Sequence, residues 1–251
     1  MEPIAYRQFR DLEKTHWWFI GRRRIFTGLL ARTAYRPRRG VVLDLGCGAG
    51  EMLEPLADFG DVVALDFSKV ALDFCRERGA RKTIGGDAMR LPFRDGVASL
   101  AALVDAIEHL PNDEAALREA HRVLEPGGTL IVTVPAYEVL YSDNDRVAHH
   151  LRRYSARELA EKVERAGFTR VWTTYYNALL LPLIAMFLML VKVKQAILPT
   201  PPEKKRDNLH VPFPAALHAA LARLLEWEGR VAERRRLPFG HSIVCLAVRR
   251  T

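Results

Sequence analysis

A short apolar run that ends in a cluster of glycines is the feature that most restricts how this chain can fold. Residues 41–45 read VVLDL and are followed by GCGAG, so Gly46, Gly48 and Gly50 come directly after an apolar stretch. Such a run is typical of a strand that is buried on both faces of a parallel sheet. Glycines at its end let the backbone approach a ligand where a Cβ atom would clash. The sequence therefore predicts an α/β fold whose first strand leads into a ligand-binding loop.

Apolar runs alternate with helical patterns along the rest of the chain, which indicates a mostly parallel sheet. After the first strand we predict six more, at 62–66, 83–86, 97–104, 129–134, 169–175 and 242–248. Gly127-Gly128 is expected to end the helix before the fifth strand, and Ser155-x-x-Glu158 to cap the next helix. The predicted fold is Rossmann-like, with seven strands, helices on both faces, and a long helical insertion between strands six and seven. The expected divisions are N-terminal lid helices (1–40), the ligand-binding core (41–175), the insertion (176–241) and the last strand (242–251).

Composition and charge narrow the class of protein further. With 49% hydrophobic and 27% charged residues, the chain is not disordered. Three widely spaced cysteines and no apolar stretch after the basic N-terminus predict a reducing, cytoplasmic location. The net charge of +8 is uneven: residues 1–40 carry +7, residues 41–135 carry −7 and residues 136–251 carry +8. Basic flanks around an acidic middle favour an anionic partner for the flanks.

Acidic residues at the ends of the first three predicted strands suggest the kind of ligand. Asp44 beside the glycine loop would repel a pyrophosphate but would attract an ammonium group. Asp66 can accept hydrogen bonds from both hydroxyls of a ribose, and Asp87 can accept one from an adenine amino group. A ligand with an amino-acid end, a ribose and an adenine but no phosphate is S-adenosylmethionine. The alternative is a nucleotide fold for NAD, for which the glycine spacing G-x-G-x-G is unusual.

These residues resemble the class I S-adenosylmethionine-dependent methyltransferases. The resemblance is greatest to a bacterial branch in which strand four leads into an EHL motif and then REAHRVLxPGGTLIVTVP, and it covers residues 41–175. It implies that Asp66 and Phe67 hold the ribose and that Asp87 and Ala88 hold the adenine. It implies that the methionine end is held by Asp44, Gly46, Gly48 and Gly50. Cys47 and Asp105 are also predicted to bind the cofactor. Ala98-Ser99 stands where the family usually has Phe-Asp, which we interpret as a local structural change.

Two histidines are the candidate proton acceptors. His109 follows predicted strand four beside the expected methyl position, with a structural role as the alternative. His150 opens the segment His-Leu-Arg-Arg-Tyr, in which Arg152 and Arg153 would bind an acidic substrate and Tyr154 would assist catalysis. A solvated approach to the next helix is the alternative for this segment. Asp105, Glu108 and His109 repeat a spacing with which some relatives hold a divalent metal, but one turn of chain is thin support, and we predict no metal.

The flanks are expected to recognise the methyl acceptor. Trp17 and Trp18 beside a basic cluster suggest a lid over the cofactor or substrate, with a packed surface helix as the alternative. Within the insertion we predict an apolar helix at Ala178–Val191, a Pro- and Lys-rich linker at Leu198–Arg206 and an amphipathic helix with one apolar side. The residues of that side are Leu217, Leu221, Leu224, Leu225 and Val231. The apolar run is too short to span a bilayer, so burial, a homodimer contact and peripheral contact with the inner membrane face remain open.

The predicted function is methyl transfer from S-adenosylmethionine, most simply to an oxygen of a small or lipid-linked anionic molecule such as a sugar, a glycolipid or a secondary metabolite. A nucleic-acid methyltransferase is a less favoured alternative. The chain lacks the Asn/Asp-Pro-Pro-aromatic motif of base-amine enzymes and any zinc-finger or RNA-binding motif. A non-catalytic module that binds the same cofactor is the third possibility.

Overall fold

A seven-stranded sheet forms the centre of the computed structural model, which describes residues 12–32, 40–197 and 214–250. The strand order is β3-β2-β1-β4-β5-β7-β6, and β7 runs antiparallel to both of its neighbours while the other pairs are parallel. The predicted seven-stranded, mostly parallel fold is confirmed. The strands are β1 (Gly40–Leu45), β2 (Gly60–Asp66), β3 (Thr83–Gly85), β4 (Ala98–Val104), β5 (Leu124–Pro135), β6 (Phe168–Tyr176) and β7 (Ser242–Arg249).

Helices cover both faces of this sheet. Buried side chains of α1, α2 and α8 pack on one face, and those of α4 and α6 pack on the other. Polar caps fix where several helices begin: Ser68 accepts a hydrogen bond from the Ala71 amide, Asn112 from Ala115 and Ser155 from Glu158. The helices are α1 (Trp17–Arg32), α2 (Leu53–Ala57), α3 (Lys69–Glu77), α4 (Asp113–Val123), α5 (Asp143–Val147), α6 (Ala156–Arg165), α7 (Leu181–Ile197) and α8 (Ala215–Ala232).

The pair Gly127-Gly128 does not end α4, contrary to the prediction. The helix ends at Val123, and β5 already pairs with β4 at Leu124 before its register shifts and resumes at Thr129. The glycines lie inside that irregularity, where a Cβ on Gly128 would stand 2.8 Å from the Glu125 carbonyl oxygen. They are therefore needed for a tight bulge within the strand.

The connection between β6 and β7 contains α7 and α8, while the predicted linker Leu198–Arg206 lies outside the described residues. Helix α8 packs closely against α1, because a Cβ on Gly21 would meet Leu225 at 2.5 Å and one on Gly229 would meet Ile25 at 2.7 Å. The predicted apolar side of α8 is only partly correct, since Leu217 is 40% exposed. The buried face of α8 consists of Ala222, Leu225, Glu228, Gly229 and Ala232.

Helix α7 keeps an apolar surface in contact with solvent. Leu188 is buried, whereas the side chains that project outward are Leu183, Met186, Phe187, Met189, Leu190 and Val193. The helix lies beside the segment that follows β5, since Lys192 donates a hydrogen bond to the Val139 carbonyl. No helix within the described ranges has the length and apolar character that crossing a membrane requires.

Candidate functional site

The glycine loop lies at the carboxyl end of β1, where the neighbouring parallel strands also end. Gly46 has a φ of 78°, and a Cβ there would come within 2.9 Å of the Ala106 side chain. Gly48 has a φ of 53°, and a Cβ there would meet nothing within 4 Å. The Gly48 amide donates a hydrogen bond to Asp66 at the end of β2, which ties the loop to the next strand. The loop is thus held from one side and leaves open space over Gly48, as a ligand-binding loop requires.

Asp44 is a buried acid beneath this loop that no protein group neutralises within the described residues. The residue is 2% exposed, and its Oδ2 has no hydrogen-bond partner there. Burial, together with the negative charges of Asp66 and Glu51, raises the pKa of Asp44 to about 7. Burying an ionised carboxylate destabilises a protein by roughly several kcal/mol unless a cation or a hydrogen-bond donor contacts it. An ammonium group is a ligand of the required charge.

The next strand end presents one acid and one aromatic ring. The Asp66 carboxylate accepts hydrogen bonds from the Gly48 amide at 2.9 Å and the Ser68 amide at 2.8 Å. Each of its oxygens keeps a lone pair that can accept a ribose hydroxyl. Phe67, the adjacent residue, is 87% exposed, which is unusual for a phenylalanine and provides an apolar surface for a ligand at this edge.

These features fit S-adenosylmethionine: an unpaired carboxylate for its ammonium, a second acid for its ribose and an exposed ring for its adenosine. Asp87 and the buried Ala88 follow β3 at the same edge of the sheet, with the Asp87 carboxylate accepting a hydrogen bond from the Met89 amide. Cys47 can contribute only through its backbone, because its buried Sγ lies 3.5 Å from Sγ of Cys75. Cofactor binding by Cys47 stays a prediction.

Asp105 belongs to an ion-pair network that the sequence analysis did not predict. Arg22 of α1 is half-buried between the carboxylates of Asp105 and Glu51 and forms hydrogen-bonded ion pairs with both. Burial opposes its charge, but these two carboxylates raise the pKa of Arg22 above its ordinary value. Asp105 also accepts a hydrogen bond from the Thr133 hydroxyl at 2.7 Å and has a positive φ of 48°. Its carboxylate is thus occupied, and any cofactor contact by Asp105 would have to come from its backbone or displace Arg22.

Glu108, His109 and His150 meet where β4 and β5 end. The imidazole rings of the two histidines are 4.8 Å apart, and Nε2 of His150 lies 4.0 Å from Oε1 of Glu108. Glu108 is fully buried, and within the described residues neither of its carboxylate oxygens has a partner. Burial, with a further contribution from Asp105, raises the pKa of Glu108 well above its ordinary value. Burial, with a further contribution from His150, lowers the pKa of His109 to about 4.

Outer contacts fix the orientation of both histidines. Nδ1 of His150 lies 2.8 Å from Oδ1 of the buried Asp145, and Nδ1 of His109 lies 3.3 Å from the His149 carbonyl oxygen. These contacts leave Nε2 of each ring to act within the group. His149 has a φ of 60°, in the left-handed region that favours glycine or asparagine.

The residues that follow His150 in the segment His-Leu-Arg-Arg-Tyr make contacts within the protein. The guanidinium of Arg153 pairs with Asp145 and donates to the Ala136 carbonyl, which does not support the predicted substrate contact. The hydroxyl of the buried Tyr154 donates to Asp113 at 2.8 Å, and burial raises the pKa of Tyr154. This internal hydrogen bond does not support the predicted catalytic role of Tyr154, and both roles stay predictions. Arg152 is half-buried beside Asp113 and the Pro111 carbonyl, so most of its capacity is used internally.

The tryptophans of α1 pack against other parts of the protein, as expected for the alternative of a packed surface helix. Trp18 stacks on Tyr176 with 5.8 Å between the rings, and the Trp17 amide donates to Nδ1 of His218. Both side chains are half-buried against the core under α1. Substrate binding by Trp17 and Trp18 stays a prediction.

Comparison with known proteins gives matches to methyltransferases. Residues 43–132 match the sequence profile of a methyltransferase domain. A probable S-adenosylmethionine-dependent methyltransferase of Mycolicibacterium smegmatis is 31% identical over 166 residues, which are 64% of this chain and 63% of that protein. A demethylmenaquinone methyltransferase of Staphylococcus aureus is 31% identical over 120 residues, 42% of this chain and 50% of its own length. The chain thus spans only part of the curated relatives that it matches.

Among solved structures, a chain from the complex between the Haloferax volcanii Trm112 methyltransferase activator and a methyltransferase superimposes with a TM-score of 0.62. It is 20% identical, and the match covers 99% of this chain and 95% of that one, which supports the same fold. Residues 43–132 thus match a methyltransferase domain, and the chain is similar to S-adenosylmethionine-dependent methyltransferases. The glycine loop and the acids at the ends of β1 and β2 agree with S-adenosylmethionine as the cofactor that these matches imply.

Proposed function

We propose that this protein is an active methyltransferase that transfers the methyl group of S-adenosylmethionine to an oxygen of a small acceptor. The observation that carries the proposal is the buried, unpartnered Asp44 carboxylate beneath the glycine loop, which is suited to the ammonium of the cofactor. The cofactor, when bound, supplies an activated methyl group. The chain has to hold the acceptor in line, exclude water and remove a proton.

His150 is the residue that we assign to proton removal. Its Nδ1 lies against Asp145, an arrangement that fixes the ring and leaves the Nε2 lone pair available to an acceptor hydroxyl. Arg153 holds the same Asp145 carboxylate, so it is a positioning residue for His150. His109 stands beside His150 and completes a group of imidazoles next to the ends of β4 and β5.

Replacing His150 tests the oxygen assignment. His150→Gln should lower turnover by about 100-fold, because general bases contribute on that order. Affinity for S-adenosylhomocysteine should not change, since no cofactor contact is assigned to His150. His149→Asn is the matched control, because it removes an exposed imidazole from the same loop and asparagine tolerates the positive φ. Unchanged turnover in His150→Gln would exclude His150 as the base.

We also propose that the acceptor has an apolar part and that α7 helps to hold it. The exposed side chains Leu183, Phe187 and Leu190 recur at helical spacing on a helix that contacts the segment after β5. Lys192 on the same helix adds a positive charge, which suits an anionic or lipid-linked acceptor. If the acceptor is lipid-linked, the exposed apolar side of α7 would also contact the inner membrane face. The competing proposal is that this side forms a homodimer contact.

The orientation of α7 defines the variant that tests this role. Leu181, Ile184 and Leu188 lie on its packed side, whereas Leu183, Phe187 and Leu190 face outward. Replacing Leu183, Phe187 and Leu190 with serine should abolish flotation of the protein with anionic vesicles. It should leave S-adenosylhomocysteine binding and the mass of the protein in solution unchanged. A change from dimer to monomer would instead assign the surface to self-association. Unchanged flotation and unchanged mass would refute a role for this surface in either contact.

A further inference from the structure

A group of three potential metal ligands lies outside the cofactor loop, and its members come from two different connections. Glu108 and His109 follow β4, while His150 follows β5, and one ligand atom from each lies within 4.8 Å of the other two. Asp105, the first acid of the array considered from the sequence, is not a member, because it is turned toward Arg22 and Thr133. The group is therefore created by the sheet order, in which β4 and β5 are neighbours, rather than by spacing along one turn.

The environment of the Glu108 carboxylate points to a cation site. Its side chain is fully buried, and within the described ranges neither carboxylate oxygen has a hydrogen-bond donor. Its nearest basic group is the ring of His150, with Nε2 at 4.0 Å, too far for a hydrogen bond. A buried carboxylate left in this state is costly, and buried charges in proteins are paired or coordinate metals.

The two histidines have the outer contacts that metal-binding histidines need. A ligating imidazole generally has its second nitrogen held by a carboxylate or a backbone carbonyl. Nδ1 of His150 has the Asp145 carboxylate, and Nδ1 of His109 has the His149 carbonyl oxygen. Arg153 in turn holds Asp145, so the support extends one residue further. Nε2 of His150 thereby faces Glu108, at 4.0 Å from its Oε1, and Nε2 of His109 keeps a lone pair for the group.

We propose that Glu108, His109 and His150 bind one divalent transition-metal ion. Two imidazoles and one carboxylate favour zinc, iron, cobalt or nickel over magnesium and calcium, which prefer oxygen ligands. Ligand atoms around such an ion stand roughly 3.0–3.4 Å apart at bond lengths of about 2.1 Å, so the side chains must close by rotation. Three protein ligands leave positions open for an acceptor oxygen, whose proton an ion makes easier to remove. This role rests on the proposed function: with Nε2 of His150 bound to the ion, the ion, in place of that imidazole, lowers the pKa of the acceptor hydroxyl, and the released proton passes to solvent water.

Titration of the full, cofactor-free chain with Co²⁺ tests the site without any assay of activity. We expect one ion per chain, visible absorption bands of a nitrogen- and oxygen-ligated ion, and displacement by Zn²⁺ but not by Mg²⁺. Glu108→Gln and His109→Gln should each weaken binding by at least about 10-fold, while the control His149→Asn should bind as the wild type does. The proposal would be overturned by a lack of saturable Co²⁺ binding, or by displacement of Co²⁺ by Mg²⁺. It would also be overturned if Glu108→Gln and His109→Gln both bound Co²⁺ as tightly as the wild type does.

A parallel titration with S-adenosylhomocysteine keeps the two proposals distinguishable. A chain that binds S-adenosylhomocysteine but no Co²⁺ overturns the metal site alone, and the reverse result overturns the proposed function alone. The same titration reports whether each variant is folded. If Glu108→Gln does not fold, His109→Gln decides the question, because its ring is at the edge of the group rather than fully buried.

Discussion

Replacing Asp44 with asparagine should make the cofactor-free protein more stable at neutral pH while weakening cofactor binding. Asp44 has a folded-state pKa of about 7, against an ordinary value of 3.8. Because the folded state holds its proton more tightly than the unfolded state, the stability that this proton contributes is complete below pH 3.8 and is lost as pH rises to about 7. The loss amounts to roughly 4 kcal/mol at about 1.4 kcal/mol per pKa unit, of which about 2 kcal/mol falls between pH 5 and pH 7. An asparagine at this position would keep the shape without the charge.

Chemical denaturation from pH 5 to pH 8 measures this effect. The free energy of unfolding of Asp44→Asn, minus that of the wild type, should rise by about 3 kcal/mol over that range. The exposed Asp61→Asn on β2 is the matched control and should show no such rise. Calorimetric titration should show the opposite trend in function, with affinity for S-adenosylhomocysteine lowered by about 2 kcal/mol in Asp44→Asn at pH 8. A stability difference that does not change with pH would refute the argument that an ionised, unpaired Asp44 is present.

Three further predictions concern other parts of the molecule. Asp66→Ala should weaken S-adenosylhomocysteine binding by about 2 kcal/mol in a calorimetric titration, because a charge-assisted contact to the ribose is lost; unchanged affinity would remove the ribose assignment. Gly21→Val should lower the free energy of unfolding by about 1–3 kcal/mol, because the new Cβ would overlap Leu225 of α8. Gly79→Ala is the comparison variant, because Gly79 lies at an open turn where only the positive φ would strain an alanine. Glu228→Ala should destabilise by about 1–3 kcal/mol in urea denaturation, because its buried carboxylate accepts hydrogen bonds from the Ala178 and Leu179 amides; an unchanged midpoint would show that these bonds contribute nothing.

Local signals in the sequence were sufficient for the sheet and for the cofactor loop. The runs VVLDL and VVALD are strands because every residue in them except Asp44 and Asp66 is apolar. Asn112 and Ser155 begin helices because their side chains cap the next turn. The positions of Asp44 and Asp66 follow from the same logic, since the carboxyl ends of adjacent parallel strands meet at one edge. These features depend on residues close together in the chain.

Contacts between distant segments could not be predicted in the same way. Nothing in the run Arg22-Arg23-Arg24 distinguishes the arginine that pairs with Asp105 and Glu51 from its neighbours. Tyr154 reads as a reactive residue until Asp113, 41 positions away, is seen to hold its hydroxyl. Helix α7 is apolar all round, so its sequence did not indicate which side would pack.

The central claim, that the glycine loop and its acids bind S-adenosylmethionine, is tested most directly by parallel calorimetric titrations of the full chain with S-adenosylhomocysteine and with NAD⁺. We predict saturable binding of one S-adenosylhomocysteine per chain, loss of most of that affinity in Asp44→Asn, and no binding of NAD⁺. Binding of NAD⁺ at least as tight as that of S-adenosylhomocysteine, or no binding of S-adenosylhomocysteine to the folded chain, would contradict the account.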